Sequence, residues 1–178
     1  MAKKFETEEF EAIFHCYKDM VFKTAYLILG DAEKADDVLQ EVFIKVHKSL
    51  GAFDPQKGEF KTWLHRITVN QSISERRHKR MPSLSLERLE EQGVGLPGVS
   101  SQLPEELLMK KEENKTIQRA MQSLDTKHRA VLVLRYFDDL SYDEIAQALE
   151  IPLGTAKSRL NTATKVLRQK LVEGGFIP

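Results

Sequence analysis

The sequence predicts an all-α protein made of two small helical domains joined by a flexible linker. Apolar residues recur at three- and four-residue steps through most of the chain, which is typical of amphipathic helices. No segment alternates polar and apolar residues in the manner of a half-buried strand. Residues 82–103 lack this periodicity and contain prolines, glycines and serines, which is linker composition. We therefore expect a first domain at residues 1–81 and a second at residues 104–178.

Three helices are expected in the first domain. The first helix stops at Gly30, and Asp31 is placed to cap the second. A turn-rich loop follows at residues 51–58, and a third helix begins near Glu59. The apolar residues that form its buried face are Phe60, Trp63, Leu64 and Ile67.

The second domain is expected to contain further helices, the last two separated by a tight turn. Pro104 suits the first position of a helix. Ser141 and Glu144 have the spacing of a capping box, in which each side chain bonds to the other residue's backbone amide. The turn at residues 151–154 leads into a last helix from about Thr155. Its expected buried residues are Ala156, Leu160 and Ala163.

The distribution of charge is more informative than its sum. The net charge is zero, but basic residues cluster at 76–80 and again at 157–170, whereas acidic residues gather at 31–41. Two basic clusters on separate helices indicate nucleic-acid contacts, because lysine and arginine neutralise phosphates.

Several classes of protein are disfavoured by what the sequence lacks. No run of about eighteen apolar residues occurs, so no membrane insertion is expected. The amino terminus has no signal-peptide core and Cys16 is the sole cysteine, so we expect a cytoplasmic protein. The five histidines are scattered, and no glycine-rich phosphate loop or nucleophile elbow occurs. We therefore expect no catalytic residues, no metal site and no cofactor.

The segment after Ser141 has the layout of a helix-turn-helix, in which a short capped helix and a tight turn precede a longer helix. The N-terminal residues of the longer helix read base edges in the major groove. Arginine, lysine and hydroxyl side chains suit contacts to bases and phosphates. An ordinary solvated helix face is the alternative, and basic residues alone do not exclude it. The outward residues expected to bind DNA are Thr155, Lys157, Ser158, Arg159, Thr162 and Lys165.

These motifs resemble those of sigma factors of the extracytoplasmic-function (ECF) type. Residues 140–171 look like region 4, with the sequence LSYDEIAQALEIPLGTAKSRLNTATKVLRQKL. Residues 31–50 are similar to the region 2 helix that docks on polymerase, with the sequence DAEKADDVLQEVFIKVHKSL. Residues 60–80 resemble the helix that melts and reads the −10 element, with the sequence FKTWLHRITVNQSISERRHKR. The resemblance covers residues 8–81 and 104–173 in the expected order.

The resemblance implies a function and a set of partners. A sigma factor directs core RNA polymerase to specific promoters, opens the −10 strands and is not itself an enzyme. The first domain would then be region 2 and the second region 4, which reads the −35 element. The implied partners are promoter DNA, the clamp helices and flap of core polymerase, and an anti-sigma factor.

The first domain is expected to carry the −10 site. By resemblance, the loop at 51–59 holds a base flipped out of the −10 element, and the basic end of the third helix lies along the strand. Trp63 has two interpretations, since it either assists melting or is a core tryptophan beside Phe60, Leu64 and Ile67. The residues assigned to the −10 element are Phe53, Lys57, Lys61, Trp63, Asn70, Gln71, Ser74, Arg77 and Arg80.

The second helix is expected to bind polymerase. Its acidic residues face away from the apolar stripe and suit a basic protein surface, although a solvated acidic face is the alternative. An aromatic residue near the edge of the patch would serve as an anchor. The residues assigned to this surface are Asp36, Asp37, Gln40, Glu41 and Phe43.

Some positions depart from the family pattern. Ser74 stands where the family often has an acid, and Arg76 where it often has an apolar residue. Ala156 replaces a usual valine, and residues 161–162 replace a frequently basic pair. These departures leave the fold in place but make the promoter sequence uncertain.

Two other classes of protein share part of this pattern. A helix-turn-helix regulator would bind an operator without polymerase, but it leaves the first domain unexplained. A purely protein-binding helical module would need neither basic cluster. The outward Lys157 and Arg159 and the cluster at 76–80 disfavour the second class.

Overall fold

The computed structural model describes residues 7–78 and 115–177, which are helical apart from short turns and loops. Helix α1 spans Thr7–Leu29, α2 spans Ala32–Ser49, and α3 spans Phe60–His78, with a 3₁₀ turn at Leu50–Ala52 after α2. Helix α4 occupies residues 115–123, α5 spans Thr126–Tyr136, α6 spans Tyr142–Leu149, and α7 spans Leu153–Glu173. The expected all-α fold is confirmed. The expected linker at 82–103 and the helix start at Pro104 lie outside the described residues.

The turn between α1 and α2 is fixed by two neighbouring residues. Gly30 has φ = 72°, a backbone conformation that glycine adopts without steric cost. Asp31 accepts a hydrogen bond from the amide of Lys34 at 3.2 Å and caps α2. Both helix boundaries therefore lie where the sequence places them.

Each half of the chain buries apolar residues between its own helices. In the first half, α1, α2 and α3 enclose a cluster that includes Val21, Ala25, Val38, Val42 and Leu64. In the second half, α5 is at the centre of a cluster formed with α4, α6 and α7. Its members include Met121, Val131, Leu134, Ile145, Ala156, Leu160 and Ala163.

Helix α7 begins two residues earlier than the sequence predicts. It starts at Leu153, and the carbonyl of Pro152 accepts hydrogen bonds from the amides of Thr155 and Ala156 at 2.9 and 3.0 Å. The restricted φ of proline suits a position beside the first turn of a helix. The turn is therefore shorter than residues 151–154.

The two halves share a buried contact. Ile28 of α1 and Val69 of α3 are fully buried in the apolar cluster of the second half. One face of α3 is buried as well, although several of its residues are polar. Its fully or nearly fully buried polar residues are Thr62, His65, Thr68 and Ser72. The sequence predicts that the buried part of α3 ends near Ile67, because polar residues at this spacing resemble a solvated face.

Arg129 is the largest fully buried side chain in the described parts of the chain. Its Nε donates to the carbonyl of Met121 at 2.8 Å, and its Nη2 donates to the carbonyls of Gln122 and Leu124, both at 2.9 Å. It also donates to Oε1 of Gln122 at 2.6 Å and to the carbonyl of Ile28 in the first half. Five acceptors thus match the five N–H groups of the guanidinium.

Burial lowers the pKa of Arg129 to about 10, and the nearby charge of Arg76 lowers it further. The guanidinium is therefore charged at neutral pH and is held by neutral oxygens.

None of the helices within 7–78 or 115–177 is long and apolar enough to cross a membrane.

Candidate nucleic-acid interface

Helices α6 and α7 form the helix-turn-helix, and its first helix has the capping box expected from the sequence. The amide of Ser141 donates to Oε2 of Glu144 at 2.7 Å, and the amide of Glu144 donates to Oγ of Ser141 at 3.3 Å. The hydrogen bonds from Ser141 lower the pKa of Glu144. Glu150 ends α6 in the left-handed region with φ = 52°. The chain then turns and enters α7.

The two faces of α7 differ as expected. Ala156, Leu160 and Ala163 are buried against the second-half core. On the opposite side, Lys157, Ser158, Thr162 and Lys165 are exposed, whereas Thr155 and Arg159 are half-buried. The six residues thus share a polar face, and Thr155 and Arg159 lie nearer its edge.

Tyr142 lies beside the start of this polar face. The Nζ atom of Lys157 is 5.9 Å from the centre of the Tyr142 ring, and the guanidinium carbon of Arg135 is 5.5 Å from it. Both distances suit a cation–π contact. The ring therefore orients two basic side chains at the edge of the helix-turn-helix.

The exposed side of α3 carries part of the set assigned to the −10 element. Asn70, Ser74 and Lys61 are exposed, and Gln71 is half-buried. Oε1 of Gln71 accepts a hydrogen bond from the ammonium of Lys45 on α2. The side chains of Arg77 and Arg80 lie outside the described residues.

The loop before α3 borders a cavity of about 220 Å³. Its walls include the rings of Phe53 and Trp63 and the basic residues Lys57 and Arg66. Aromatic faces stack on bases and basic groups bind phosphates, so this part of the lining suits a nucleotide, whereas Asp54 and Glu59 in the same lining add negative charge. Gln147 of α6 completes the lining from the second half of the chain.

Trp63 belongs both to this cavity and to an aromatic cluster. Its ring centre lies 5.4 Å from that of Phe53 and 5.3 Å from that of Phe60. The side chain is half-buried. Trp63 therefore packs on the aromatic cluster and also lines the cavity.

The acidic surface of α2 agrees with the sequence analysis at four of five positions. Asp36, Asp37, Gln40 and Glu41 are exposed, and the Gln40 amide donates to Asp36 at 3.0 Å. Phe43 is only 4% exposed, so its expected position at the edge of this patch is wrong.

Aromatic residues of α1 cover Phe43, with the ring centres of Phe10 and Phe14 at 6.3 and 4.8 Å. Ile44 is instead 47% exposed and is the large apolar residue that α2 presents to solvent. The apolar pattern alone did not distinguish these neighbours.

A polar cluster between the halves was missed by the sequence analysis. Oγ1 of Thr24 donates to Oδ2 of Asp138 at 3.0 Å, and Nδ1 of His65 lies 3.6 Å from the same oxygen. That second distance is too long for a hydrogen bond, and both ring nitrogens of His65 lack a partner. No sequence motif marks this cluster, because its three members come from three separate segments.

Burial determines the protonation of this cluster. Burial lowers the pKa of His65 to about 4, and the charge of Lys61 acts in the same direction. Burial raises the pKa of Asp138 to about 6, opposed by the hydrogen bond from Thr24. At neutral pH the imidazole is therefore neutral and the carboxylate is charged. The described residues contain no group of three or more potential ligands arranged for a metal ion.

Two family models match the chain, one in each half. Sigma-70 region 2 matches residues 13–81, and Sigma-70, region 4 matches residues 114–167. The chain is 36% identical over 174 residues to the ECF RNA polymerase sigma factor SigW of Bacillus subtilis, covering 95% of this chain and 92% of that protein. It is 35% identical over 152 residues to the ECF RNA polymerase sigma-E factor of Escherichia coli K12, covering 82% of this chain and 76% of that protein.

A solved structure has the same fold. The sigma factor RpoE of Bartonella quintana, solved in complex with the anti-sigma factor NepR, aligns with a TM-score of 0.71. The alignment covers 93% of this chain and 98% of that one at 21% sequence identity.

Proposed function

The chain belongs to the ECF family of RNA polymerase sigma factors, and from that premise we propose that its two halves read different elements of one promoter. As a sigma factor, it directs RNA polymerase to specific promoters and initiates transcription. We assign residues 1–81 to polymerase binding and the −10 element, residues 104–178 to the −35 element, and residues 82–103 to the linker. The polar face of α7, opposite its buried alanines, is the observation that carries this assignment.

The −35 element would be read by the N-terminal part of α7. Arg159 is suited to a paired hydrogen bond with guanine, whereas Lys157 and Lys165 would neutralise phosphates. Hydroxyl groups of Thr155, Ser158 and Thr162 would add contacts to bases or backbone.

The −10 element would be opened and held by the loop and by α3. A base extruded from the duplex would enter the cavity beside Phe53 and Trp63, where stacking offsets the cost of unstacking. Lys57 and Lys61 would bind phosphates at its rim. Asn70, Gln71 and Ser74, with Arg77 and Arg80, would follow the strand along α3.

The exposed acidic face of α2 would bind the clamp helices of core polymerase. Asp36, Asp37 and Glu41 offer charge to a basic partner, and Ile44 offers an apolar contact. The second half would bind the polymerase flap. Core polymerase would supply all catalysis, so the chain itself would not be an enzyme.

A cytoplasmic location follows from this role, because polymerase and promoter DNA are found there. An anti-sigma factor is a further expected partner. The sigma factor RpoE of Bartonella quintana was solved with such a protein, and CnrH was solved with the cytosolic domain of CnrY.

A transcription assay distinguishes the three classes of protein considered above. The purified chain is incubated with a random promoter library, with and without bacterial core polymerase. A sigma factor yields transcripts from a defined subset of templates only when core polymerase is present. Retarded DNA without core polymerase would indicate an operator-binding regulator, and neither transcripts nor retarded DNA would indicate a protein-binding module.

A further inference from the structure

Lys45 on α2 is a basic residue outside the set assigned to the −10 element, yet it contacts a member of that set. Its ammonium donates a hydrogen bond to Oε1 of Gln71 on α3. Lys45 lies beyond the acidic patch of α2, and its side chain is exposed. The contact therefore joins α2 to α3 at the surface along which the −10 strand would run.

Buried neighbours hold the backbone on both sides of this contact. On α2, Val42 and Val46 are fully buried on either side of Lys45. On α3, Ser72 is fully buried directly after Gln71. Packing of the two helices thus determines where the two side chains leave the core, with Lys45 exposed and Gln71 half-buried.

The chemistry of the ammonium determines which way the amide of Gln71 turns. A lysine ammonium carries three N–H donors and no acceptor, so only the amide oxygen can face it. The oxygen and the NH2 group occupy opposite branches of the planar amide. The NH2 group of Gln71 therefore points away from Lys45 and offers hydrogen-bond donors.

Other polar residues continue this surface along α3. Asn70 precedes Gln71, Ser74 lies three positions after it, and both are exposed. Residues three and four positions apart are neighbours on a helix surface. A freely rotating glutamine amide would offer this surface either a donor or an acceptor, whereas an amide held by Lys45 offers a donor.

We propose that Lys45 is a positioning residue for the −10 element: it holds the amide of Gln71 with its NH2 group outward, so that Gln71 donates to an acceptor atom of the −10 strand. This inference rests on the proposed function of α3. The acceptor belongs either to a base edge or to a phosphate, since both accept hydrogen bonds from glutamine.

The first experiment tests the contact in the free chain by nuclear magnetic resonance. The side-chain NH2 signals of Gln71 are identified in a ¹⁵N spectrum by their absence from Gln71→Ala. These signals shift in Lys45→Met, because the donor to the amide oxygen has been removed. They stay in place in Lys48→Met, which changes an exposed lysine three positions later on the same helix. Unchanged Gln71 signals in Lys45→Met would overturn the proposal.

The second experiment tests the role in promoter reading by the random-library transcription assay with core polymerase. In the wild-type background, Lys45→Met lowers the preference for one base of the −10 element by about fivefold, the lower end of what one base contact contributes. If the acceptor is a phosphate, the yield falls alike for all −10 sequences. In the Gln71→Ala background, Lys45→Met changes nothing further, because the amide that it orients is absent. Equal losses in both backgrounds, or no loss in either, would overturn the proposal.

Two variants control for charge and for donor chemistry in the same assay. Lys48→Met removes the same charge as Lys45→Met, and any effect that it has is equal in the wild-type and Gln71→Ala backgrounds. Lys45→Arg keeps a cation that can only donate. It therefore retains the wild-type preference.

The outcomes separate this inference from the proposed function. Transcripts from the wild-type chain, together with equal losses in both backgrounds, would remove the role of Lys45 and leave the sigma function intact. An absence of transcripts from the wild-type chain would overturn the proposed function, and the contact of this pair with DNA would fall with it. The NH2 signals would still decide whether Lys45 orients Gln71.

Discussion

The guanidinium of Arg129 donates a hydrogen bond to the backbone carbonyl of Ile28, a residue 101 positions earlier in the chain. The bond joins the last turn of α1 to the second half, and the other N–H groups of Arg129 bind oxygens of Met121, Gln122 and Leu124. Because the side chain is fully buried, it links both halves where water does not compete.

Replacing Arg129 is therefore expected to be severely destabilising. Arg129→Met keeps much of the apolar volume but leaves several buried carbonyls without donors. Each unsatisfied group costs about 1–3 kcal/mol, so we expect a loss of at least about 3 kcal/mol in the free energy of unfolding. Urea denaturation followed by circular dichroism measures it.

Arg135→Met is the matched control. Arg135 is half-buried, donates to one carbonyl, that of Leu140 at 3.0 Å, and stacks on Tyr142. We expect Arg135→Met to lower the free energy of unfolding by about 1 kcal/mol. An equal loss in the two variants would contradict the linking role of Arg129.

The glycine that ends α1 is expected to resist substitution. Gly30 has φ = 72°, and a Cβ there would lie 1.9 Å from Nε2 of Gln122, whose Oε1 accepts a bond from Arg129. Gly30→Ala is therefore expected to lower the free energy of unfolding by about 1–2 kcal/mol from backbone strain, with a further loss from the displaced Gln122.

Gly154→Ala serves as the comparison for Gly30→Ala in the same denaturation assay. A Cβ at Gly154 meets nothing within 4 Å, and the residue lies in the first turn of α7. We expect Gly154→Ala to leave the stability unchanged or to raise it by less than about 1 kcal/mol. Comparable losses at both glycines would show that the contact with Gln122 is unimportant.

The pair of His65 and Asp138 is expected to contribute two opposite pH dependences. The folded-state pKa of His65 is about 4, below its ordinary value of 6.5, so this residue lowers the stability as the pH falls from 6.5 towards 4. The folded-state pKa of Asp138 is about 6, above its ordinary value of 3.8, so this residue raises the stability as the pH falls from 6 towards 3.8. In the wild type the two contributions largely cancel between these limits.

Removing either partner is expected to reveal the contribution of the other. In Asp138→Asn, the free energy of unfolding falls relative to wild type on acidification, on the order of 2 kcal/mol over this range. In His65→Gln, it rises relative to wild type over the same range. Urea titrations at a series of pH values measure both differences. Parallel pH profiles for all three proteins would contradict the burial of this pair.

Promoter choice is expected to depend on Arg159 separately from polymerase binding. Arg159→Ala removes a side chain suited to guanine, so we expect a loss of about 1–3 kcal/mol in discrimination at one base pair of the −35 element. The random-library transcription assay measures this as relaxed preference at that position.

The affinity of Arg159→Ala for core polymerase should equal that of the wild type. It is measured by fluorescence anisotropy of protein labelled at Cys16, which is exposed and is the sole cysteine. If Arg159→Ala lost both promoter discrimination and affinity for core polymerase, the result would contradict separate surfaces for DNA and polymerase.

Charge reversal on α2 is expected to weaken polymerase binding. Asp37 is exposed on the acidic face, and Asp37→Arg would place a cation against a basic partner. We expect the anisotropy assay to show a loss of about tenfold in affinity, which diminishes at high salt. Glu173→Arg changes the charge by the same amount at the end of α7, where Glu173 pairs with Lys170, and should have little effect. Equal losses of affinity in Asp37→Arg and Glu173→Arg would indicate a general effect of charge and would contradict a docking site on α2.

Local patterns in the sequence were sufficient for several elements of the fold. The capping box of Ser141 and Glu144, the cap at Asp31 and the buried alanines of α7 depend on neighbouring residues, so spacing alone predicts them. The exposed acids of α2 follow from the same periodicity.

The features that were missed depend on long-range packing. Phe43 is covered by rings of α1, and the periodicity of α2 does not specify which side those rings take. His65 and Arg129 are fully buried, although histidine is usually only partly buried and arginine is usually exposed, because elements distant in sequence surround them. Gln147 became part of the cavity only through the packing of the two halves.

The position of Arg129 in the chain has a consequence for biosynthesis. Ile28, in the last turn of α1, is added to the nascent chain 101 residues before Arg129, whose guanidinium binds its carbonyl. The carbonyl of Ile28 is therefore hydrated on the nascent chain, and it exchanges that water for Arg129 only after α5 has emerged. Docking of the two halves is thus a late, non-local step of folding.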